Sequence, residues 1–333
     1  MKELQFSFII PVFNRPHEIK ELLESFTNLT YKETFEIVIV EDGSTETSEA
    51  IVACYNTQLN IAYFYKPNSG PGDSRNFGMQ RAQGNFFIIL DSDVILPSDY
   101  LLEVDKFLKS TYCDCFGGPD AAHQSFTSLQ KAINFAMTSF ITTGGIRGGK
   151  RKVTNFQPRS FNMGVSKPAY MATGGFGNIH PGEDPDLSLR LQRLGFKTQL
   201  IPKAYVYHKR RISWTKFYKQ VHKFGMVRPI LNQWHPASKR LVYWFPFLFS
   251  MGLMASIVLL AFGINSFFYL YLIYFCFAFI LAIFYSHSLV VAVLALIAIL
   301  VQFFGYGYGF IKSVFTIKVL RKKPEDAFPY LFY

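Results

Sequence analysis

The sequence predicts an α/β domain built on a mostly parallel sheet flanked by helices, followed by a helical membrane region. Two patterns carry this reading. Apolar-rich stretches, Phe6 to Val12, Phe35 to Val40 and Phe86 to Leu90, alternate with helical segments, and the second and third give way to carboxylates, as strands buried on both faces of a parallel sheet do. Later, Leu241 to Ile311 runs for 71 residues without Asp, Glu, Lys or Arg, although an average soluble chain places a charge about every fourth residue. At 333 residues the chain has room for both parts.

The first strand, Phe6 to Val12, passes through Pro11 into the turn Phe13-Asn14-Arg15-Pro16. A helix follows from about His17, with Ile19, Leu22, Leu23 and Phe26 recurring at the helical period. The second strand ends in Glu41-Asp42-Gly43-Ser44, and Ile61 to Tyr65 supplies a third. Strand, helix, strand with acidic and glycine residues at the edge is the layout of a nucleotide-binding half-domain. Neither G-x-G-x-x-G nor G-x-x-x-x-G-K-[ST] occurs, which disfavours dinucleotide and P-loop folds. Asn68 to Gly78 reads as a flexible loop running into a helix, with Arg75 at its start facing either phosphate oxygens or solvent.

Phe86 to Leu90 ends in Asp91-Ser92-Asp93. Two carboxylates one residue apart at a strand's carboxyl edge suit Mg²⁺ or Mn²⁺ carrying substrate phosphates, and they equally suit a surface turn. Which it is depends on the surroundings.

Four segments in order, Phe8-Ile-Ile-Pro-Val-Phe-Asn14, Val40-Glu-Asp42-Gly-Ser44, Gly72-Asp-Ser-Arg75-Asn76-Phe-Gly78 and Leu90-Asp91-Ser-Asp93, resemble the donor half of a family 2 inverting glycosyltransferase with the GT-A fold. The resemblance implies that Asp42 contacts the nucleotide base, that Pro11 to Asn14 line base and ribose, and that Asp91 and Asp93 hold a divalent metal, Mn or Mg, under the diphosphate of a nucleotide-sugar donor, UDP preferred to GDP. Arg75 is a weaker candidate for the phosphates.

Beyond this half, Phe116 to Asp120 reads as a strand end and turn, Ser125 to Ile141 as a helix, and Gly144 to Lys152 as a glycine-rich basic loop that either closes over a phosphate or is a plain linker. Ser160 to Val165 has a buried-strand pattern. Glu183, Asp184 and Asp186 open a helix, where carboxylates suit the dipole. Glycosyl transfer with inversion also needs a carboxylate base, and Glu183-Asp184 resembles the family's Glu-Asp pair, whose second member takes the acceptor's proton. Phe196 to Ile201 and Ala204 to Tyr207 read as strands leading to His208, which by resemblance joins the Asp-x-Asp on the metal. Gln220-Val-His-Lys223-Phe224 lacks the arginine and tryptophan of the Gln-x-x-Arg-Trp found in processive synthases, which favours single sugar addition.

Residues 1–140 hold 10 basic and 18 acidic side chains, whereas 141–240 hold 19 basic and 3 acidic. A cationic block next to an uncharged run suits a membrane surface and an anionic lipid substrate, and argues against nucleic acid. Ser213 to Trp234 interleaves aromatic and basic residues, as a helix lying in the membrane interface does. Tyr243 to Gly263, Phe267 to Phe284 and Leu289 to Phe304 or a little beyond are three apolar segments, broken at Asn265-Ser266 and Ser286-His287-Ser288. Basic residues on both sides of the run favour an even number of crossings, which three segments do not give.

Cys54, Cys113, Cys115 and Cys276 form no Cys-x-x-Cys pair, so neither a disulfide framework nor zinc is expected. No leader pattern precedes the first strand, so the α/β domain is expected in the cytoplasm beneath a cell inner membrane. The expected division is 1–211 for the GT-A domain, 212–240 for the interface helix, 241–311 for the membrane and 312–333 for a basic tail. The expected activity is single sugar transfer to a lipid-linked sugar, a polyprenyl phosphate or a polysaccharide in surface glycan synthesis. A processive polysaccharide synthase and a catalytically inactive scaffold are the alternatives.

Overall fold

The structure is a computed structural model and describes residues 3–121, 126–144, 156–208 and 213–333. The chain begins with β1 (Phe6–Val12), α1 (Pro16–Thr27), β2 (Glu36–Asp42), α2 (Glu49–Ala53), β3 (Ile61–Lys66), α3 (Pro71–Arg81), β4 (Phe86–Leu90) and β5 (Val94–Ile95). It continues through α4 (Tyr100–Ser110), β6 (Cys115–Gly117), β7 (Asp120–Ala121), α5 (Ser128–Thr138), α6 (Phe140–Thr143), β8 (Asn162–Ser166), α7 (Lys167–Thr173), α8 (Glu183–Arg193), β9 (Thr198–Leu200) and β10 (Val206–His208). The remaining helices are α9 (Trp214–Trp234), α10 (Phe245–Ala261), α11 (Ser266–Ser286), α12 (Leu289–Val314) and α13 (Pro324–Ala327). Two compact units result: Met1–His123 with Lys150–Lys209 and Tyr330–Tyr333, and Gln124–Gly149 with Arg210–Pro329.

In the first unit a seven-stranded sheet has the order β3-β2-β1-β4-β8-β6-β9. The run β3-β2-β1-β4 is parallel and β8 is antiparallel to both its neighbours. All five residues of β4 are buried, as the continuous apolar run predicts. Ile19, Leu22, Leu23 and Phe26 of α1 pack on one face of the sheet, among Phe8, Ile10 and Tyr100. Met79 of α3 and Leu187 and Leu191 of α8 pack on the other with Ile9, Val38 and Ile89.

β2 runs two residues past the expected Val40, because the two carboxylates at its end are satisfied inside the protein. Glu41 accepts from Ser44 Oγ (2.5 Å), Ser48 N–H (3.0 Å), Ser48 Oγ (2.6 Å) and Tyr63 OH (3.1 Å), so its charge is buried at no orphan cost. A second, three-stranded sheet has the order β5-β10-β7, and its register sets His208 opposite Val94. The backbone of His208 therefore lies opposite the residue that follows Asp93. Its side chain, Lys209 to Arg211 and residues 145–152 of the expected basic loop lie outside the described residues.

In the second unit the expected helix Ser125 to Ile141 is divided. A capping box of Thr127 and Gln130 starts α5, and Ser139 in extended backbone separates it from α6. Three helices, Leu241–Ala261, Ser266–Ser286 and Leu289–Val319, are long and apolar enough to cross a membrane. The third, at 31 residues, runs well past the expected Phe304. Phe217, Val221, Met226 and Val227 of α9, the helix expected to lie in the interface, are buried, and the helix backbone comes directly against α12. A Cβ added to Gly225 would stand 2.2 Å from the Tyr306 carbonyl oxygen, and one on Gly309 2.2 Å from that of His222. Small residues at these crossings are what let the two helices touch.

Candidate active site

Three strand ends and two helix starts supply the site in the first unit. At the end of β1, Asn14 takes a left-handed conformation (φ 53°) and its Oδ1 accepts from the Thr45 and Glu46 N–H groups at 2.8 and 3.1 Å. Asn14 therefore fixes the loop after β2, and Pro11 lies beside Val40 in the β1–β2 register. Asp42, the last residue of β2, accepts from Lys66 Nζ (2.6 Å), Ser69 N–H (3.0 Å), Gly70 N–H (3.0 Å) and Asn68 Nδ2 (3.3 Å). Its carboxylate holds the β3–α3 loop in place, and a base edge would reach it by displacing one of these donors.

The Asp91-Ser92-Asp93 segment is flanked by two arginines. Arg15 Nη1 donates to Asp93 Oδ2 at 3.1 Å, and Arg75 Nη2 to Asp91 Oδ1 at 2.9 Å. Arg75 lies within α3 and not at its first residue. Pro71 starts α3 four residues earlier, which turns Arg75 into the protein, where it is 4% exposed and ion-paired at both ends. A buried carboxylate, Glu183, and a part-exposed one, Asp91, outbid solvent for a guanidinium fork.

A Mg²⁺ or Mn²⁺ that shares its shell with substrate phosphates and water needs only one or two carboxylates. Asp91 and Asp93 meet that need: the Asp91 side chain is 31% exposed and uses only one oxygen on Arg75. Among the described residues no group of three His, Cys, Asp or Glu could hold a metal by itself. The residues thus fit a cation bound jointly with a diphosphate.

The second end of Arg75 reaches the start of α8. Nη1 donates to Glu183 Oε1 at 3.1 Å, and His180 Nδ1 lies 2.9 Å from the same oxygen. Burial works against ionising Glu183, but the hydrogen bond and charge of His180 and the charge of Arg75 outweigh it and hold the carboxyl down at about 2. Asp184 goes the other way. Burial first, then the adjacent Glu183 charge, push it up to about 6 against the pull of Arg75 and Arg159. Asp184 Oδ1 is buried with no hydrogen-bond partner among the described residues. One carboxylate of the pair is thus held as an anion, and its neighbour gains and loses its proton at about 6. Asn76, next to Arg75, ties the same elements together: Nδ2 donates to the Phe176 carbonyl and Oδ1 accepts the Phe176 N–H, both at 2.8 Å.

The structure brings Asp91, Arg75, Glu183 and Asp184 into one network and sets Asp42 and Asn14 at the neighbouring strand ends. Sequence reading missed Arg15, Lys66 and His180. Lys66 is the cross-strand partner of Asp42 in the β2–β3 register, and His180 precedes Glu183 by three residues. Both become visible once strand pairing and the helix start are known.

Residues 7–167 match the protein-family model for glycosyl transferase family 2. This segment is a family 2 glycosyl transferase domain. It is similar to an uncharacterized glycosyltransferase of Rickettsia bellii, 37% identical over 109 residues, or 33% of this chain and 16% of that protein. It is also similar to the poly(ribitol-phosphate) beta-N-acetylglucosaminyltransferase TarS of Staphylococcus aureus, 32% identical over 114 residues, or 33% of this chain and 20% of that protein. The matched stretch therefore spans at most a fifth of the length of these two relatives. Among solved structures, S. aureus TarS 1–349 aligns with a TM-score of 0.50 at 22% identity, covering 68% of this chain and 66% of that one. The mannosyltransferase PcManGT from Pyrobaculum calidifontis, solved with GDP-Man and Mn²⁺, aligns with a TM-score of 0.61 at 15% identity, covering 91% and 88%. The family 2 domain shares the GT-A fold with both.

Proposed function

We propose that the chain is a membrane-anchored inverting glycosyltransferase that takes a sugar from a nucleoside-diphosphate sugar, with UDP as the favoured carrier, to a lipid-linked acceptor. The observation that carries this reading is the ion-paired chain Asp91–Arg75–Glu183, buried at Arg75 and Glu183 and part-exposed at Asp91, with Asp184 beside it. It joins a carboxylate suited to a cation at the diphosphate with a base suited to the acceptor.

In the reaction so read, Asp184 Oδ1 accepts the proton of the acceptor hydroxyl as its oxygen bonds to the anomeric carbon, while the bond from that carbon to the diphosphate oxygen breaks. A divalent cation between Asp91 and Asp93 would supply charge neutralisation for the departing diphosphate. Glu183 stays ionised, keeps the Asp184 carboxyl basic and orients Arg75. Asn14 and Asp42 shape the loops at the nucleoside end.

The similarity to a poly(ribitol-phosphate) N-acetylglucosaminyltransferase and glucosyltransferase supports a hexosyl donor, and TarS 1–349 itself has been crystallised with UDP-GlcNAc. The three apolar helices and the basic residues of 141–240 support an anionic lipid carrier presented at the membrane surface. The test is transfer from radiolabelled UDP-, GDP- and CMP-sugars to an undecaprenyl-diphosphate-linked sugar that carries free hydroxyls, in detergent, for the wild type and Asp184→Asn. A labelled lipid product with inverted anomeric configuration, absent in the variant, supports the reading. Turnover retained by Asp184→Asn removes it.

A further inference from the structure

Residues Tyr330–Tyr333 belong to the unit that carries the site, and two backbone hydrogen bonds seat them there. The His180 N–H donates to the Leu331 carbonyl at 2.7 Å and the Tyr333 N–H to the Asn178 carbonyl at 3.1 Å. Ile179 and Phe332 form an antiparallel bridge between these two bonds. Leu331 is fully buried. The segment is thus a 3-10 turn, Pro329–Leu331, followed by a single bridge at Phe332, pinned to the stretch that leads into Glu183 and Asp184, with one apolar anchor.

Its consequence is the position of Tyr333. The ring lies on Gly70, where an added Cβ would come within 2.7 Å of its Cγ, Cδ2 and Cε2. Gly70, at φ 88°, is the residue whose N–H holds Asp42 Oδ2. On another side the ring lies 6.0 Å from that of His180, the partner of Glu183. The residue is nevertheless 59% exposed, so an aromatic surface stands open at the site. Burial, together with the charges of Glu183 and Asp42, raises the phenol's pKa, which agrees with a ring placed near both carboxylates.

We propose that Tyr333 is a donor-binding residue whose ring forms a stacking wall for the nucleobase beside Asp42, with Leu331 as the anchor that keeps it there. The proposal rests on the reading of the site as one for a nucleoside-diphosphate sugar. Asp91 and Asp93 follow β4 whereas Asp42 ends β2, two strands away in the sheet, so a diphosphate held at the first directs its nucleoside toward the second. A planar base then meets an aromatic already held by backbone bonds, and little side-chain freedom remains to be lost on stacking. Gly70 is needed as glycine for the same contact, since any side chain there displaces the ring.

The experiment is calorimetric titration of the full chain in detergent with UDP, GDP and CMP, and then with UDP-GlcNAc, for the wild type, Tyr333→Ala, Tyr333→Phe and Leu331→Ala. For the nucleotide that the wild type binds, Tyr333→Ala is expected to weaken affinity about 10-fold, the scale of one base–aromatic stack, and to do so equally for the free nucleotide and its sugar conjugate. Tyr333→Phe should keep the affinity. Leu331→Ala should lose it in the same proportion while the His180 amide exchanges faster. Unchanged or tighter nucleotide binding by Tyr333→Ala overturns the proposal and leaves the proposed function standing. A loss confined to UDP-GlcNAc also overturns it, by placing the ring on the sugar. A wild type that binds none of the nucleotides overturns both.

Discussion

Arg75 and Glu183 stand 108 positions apart in the chain, yet the guanidinium Nη1 donates to the carboxylate Oε1 at 3.1 Å in a fully buried contact. The other end of the same guanidinium holds Asp91 at 2.9 Å. One side chain therefore couples the strand end proposed to carry the diphosphate to the helix start proposed to carry the base. Both partners are taken out of water by the fold, so the network is sensitive to loss of any member.

Replacing Arg75 leaves the buried Glu183 carboxylate and the part-exposed Asp91 facing each other across the gap. Arg75→Ala should destabilise the first unit by about 3–5 kcal/mol, the usual cost of removing one partner of a buried ion pair. Adding Glu183→Gln should recover part of that loss. Thermal melts in detergent read both effects, and an Arg75→Ala protein as stable as the wild type would contradict the buried network. Lysine should not substitute, because a single ammonium cannot span both carboxylates with a planar fork.

Asp184→Asn should reduce kcat by about 10²–10⁴-fold, the range for loss of a positioned general base. Donor affinity, measured by titration, should stay within about 2-fold because the base acts on the acceptor's proton.

The pH dependence of rate and of stability should have opposite signs at Asp184. With its carboxyl at about 6, kcat/KM should rise with pH up to about 6 and then level. Stability runs the other way. A carboxyl raised from 3.8 to about 6 by folding contributes stability that is complete below pH 3.8 and is lost as pH rises through about 6. Glu183, lowered from 4.5 to about 2, contributes stability above pH 4.5 that is lost as pH falls toward about 2. Asp184→Asn should therefore gain melting temperature relative to the wild type as pH is raised from 4 to 7.5. A constant difference across that window would argue against a raised Asp184.

Chelation by EDTA should abolish transfer and weaken donor binding, and Mn²⁺ or Mg²⁺ should restore both. Asp91→Asn should weaken the metal-dependent part of donor binding by about 10-fold or more, since a cation at a diphosphate is worth several kcal/mol. Equal donor affinity with and without EDTA would place no cation at this strand end.

In the second unit, Gly225→Val puts side-chain atoms where the backbone of Tyr306 lies. A loss of about 1–3 kcal/mol is expected from overpacking, read as a lower melting temperature of the detergent-solubilised protein.

The sequence by itself determined the strands, the carboxylates at their ends and the membrane-compatible helices. Five apolar residues before Asp91 can only be a buried strand in such a sheet, and 71 residues without a charge cannot form an ordinary soluble surface. These are local signals, written in composition and period. Tertiary structure alone decided that Arg75 faces Asp91 and Glu183 and not solvent, that Lys66 occupies Asp42, and that Tyr333 rests on Gly70. A guanidinium or an aromatic ring carries no mark of its partner in the residues next to it. The choice is made when distant segments desolvate together, and the strongest available charge or the flattest backbone surface then takes the side chain.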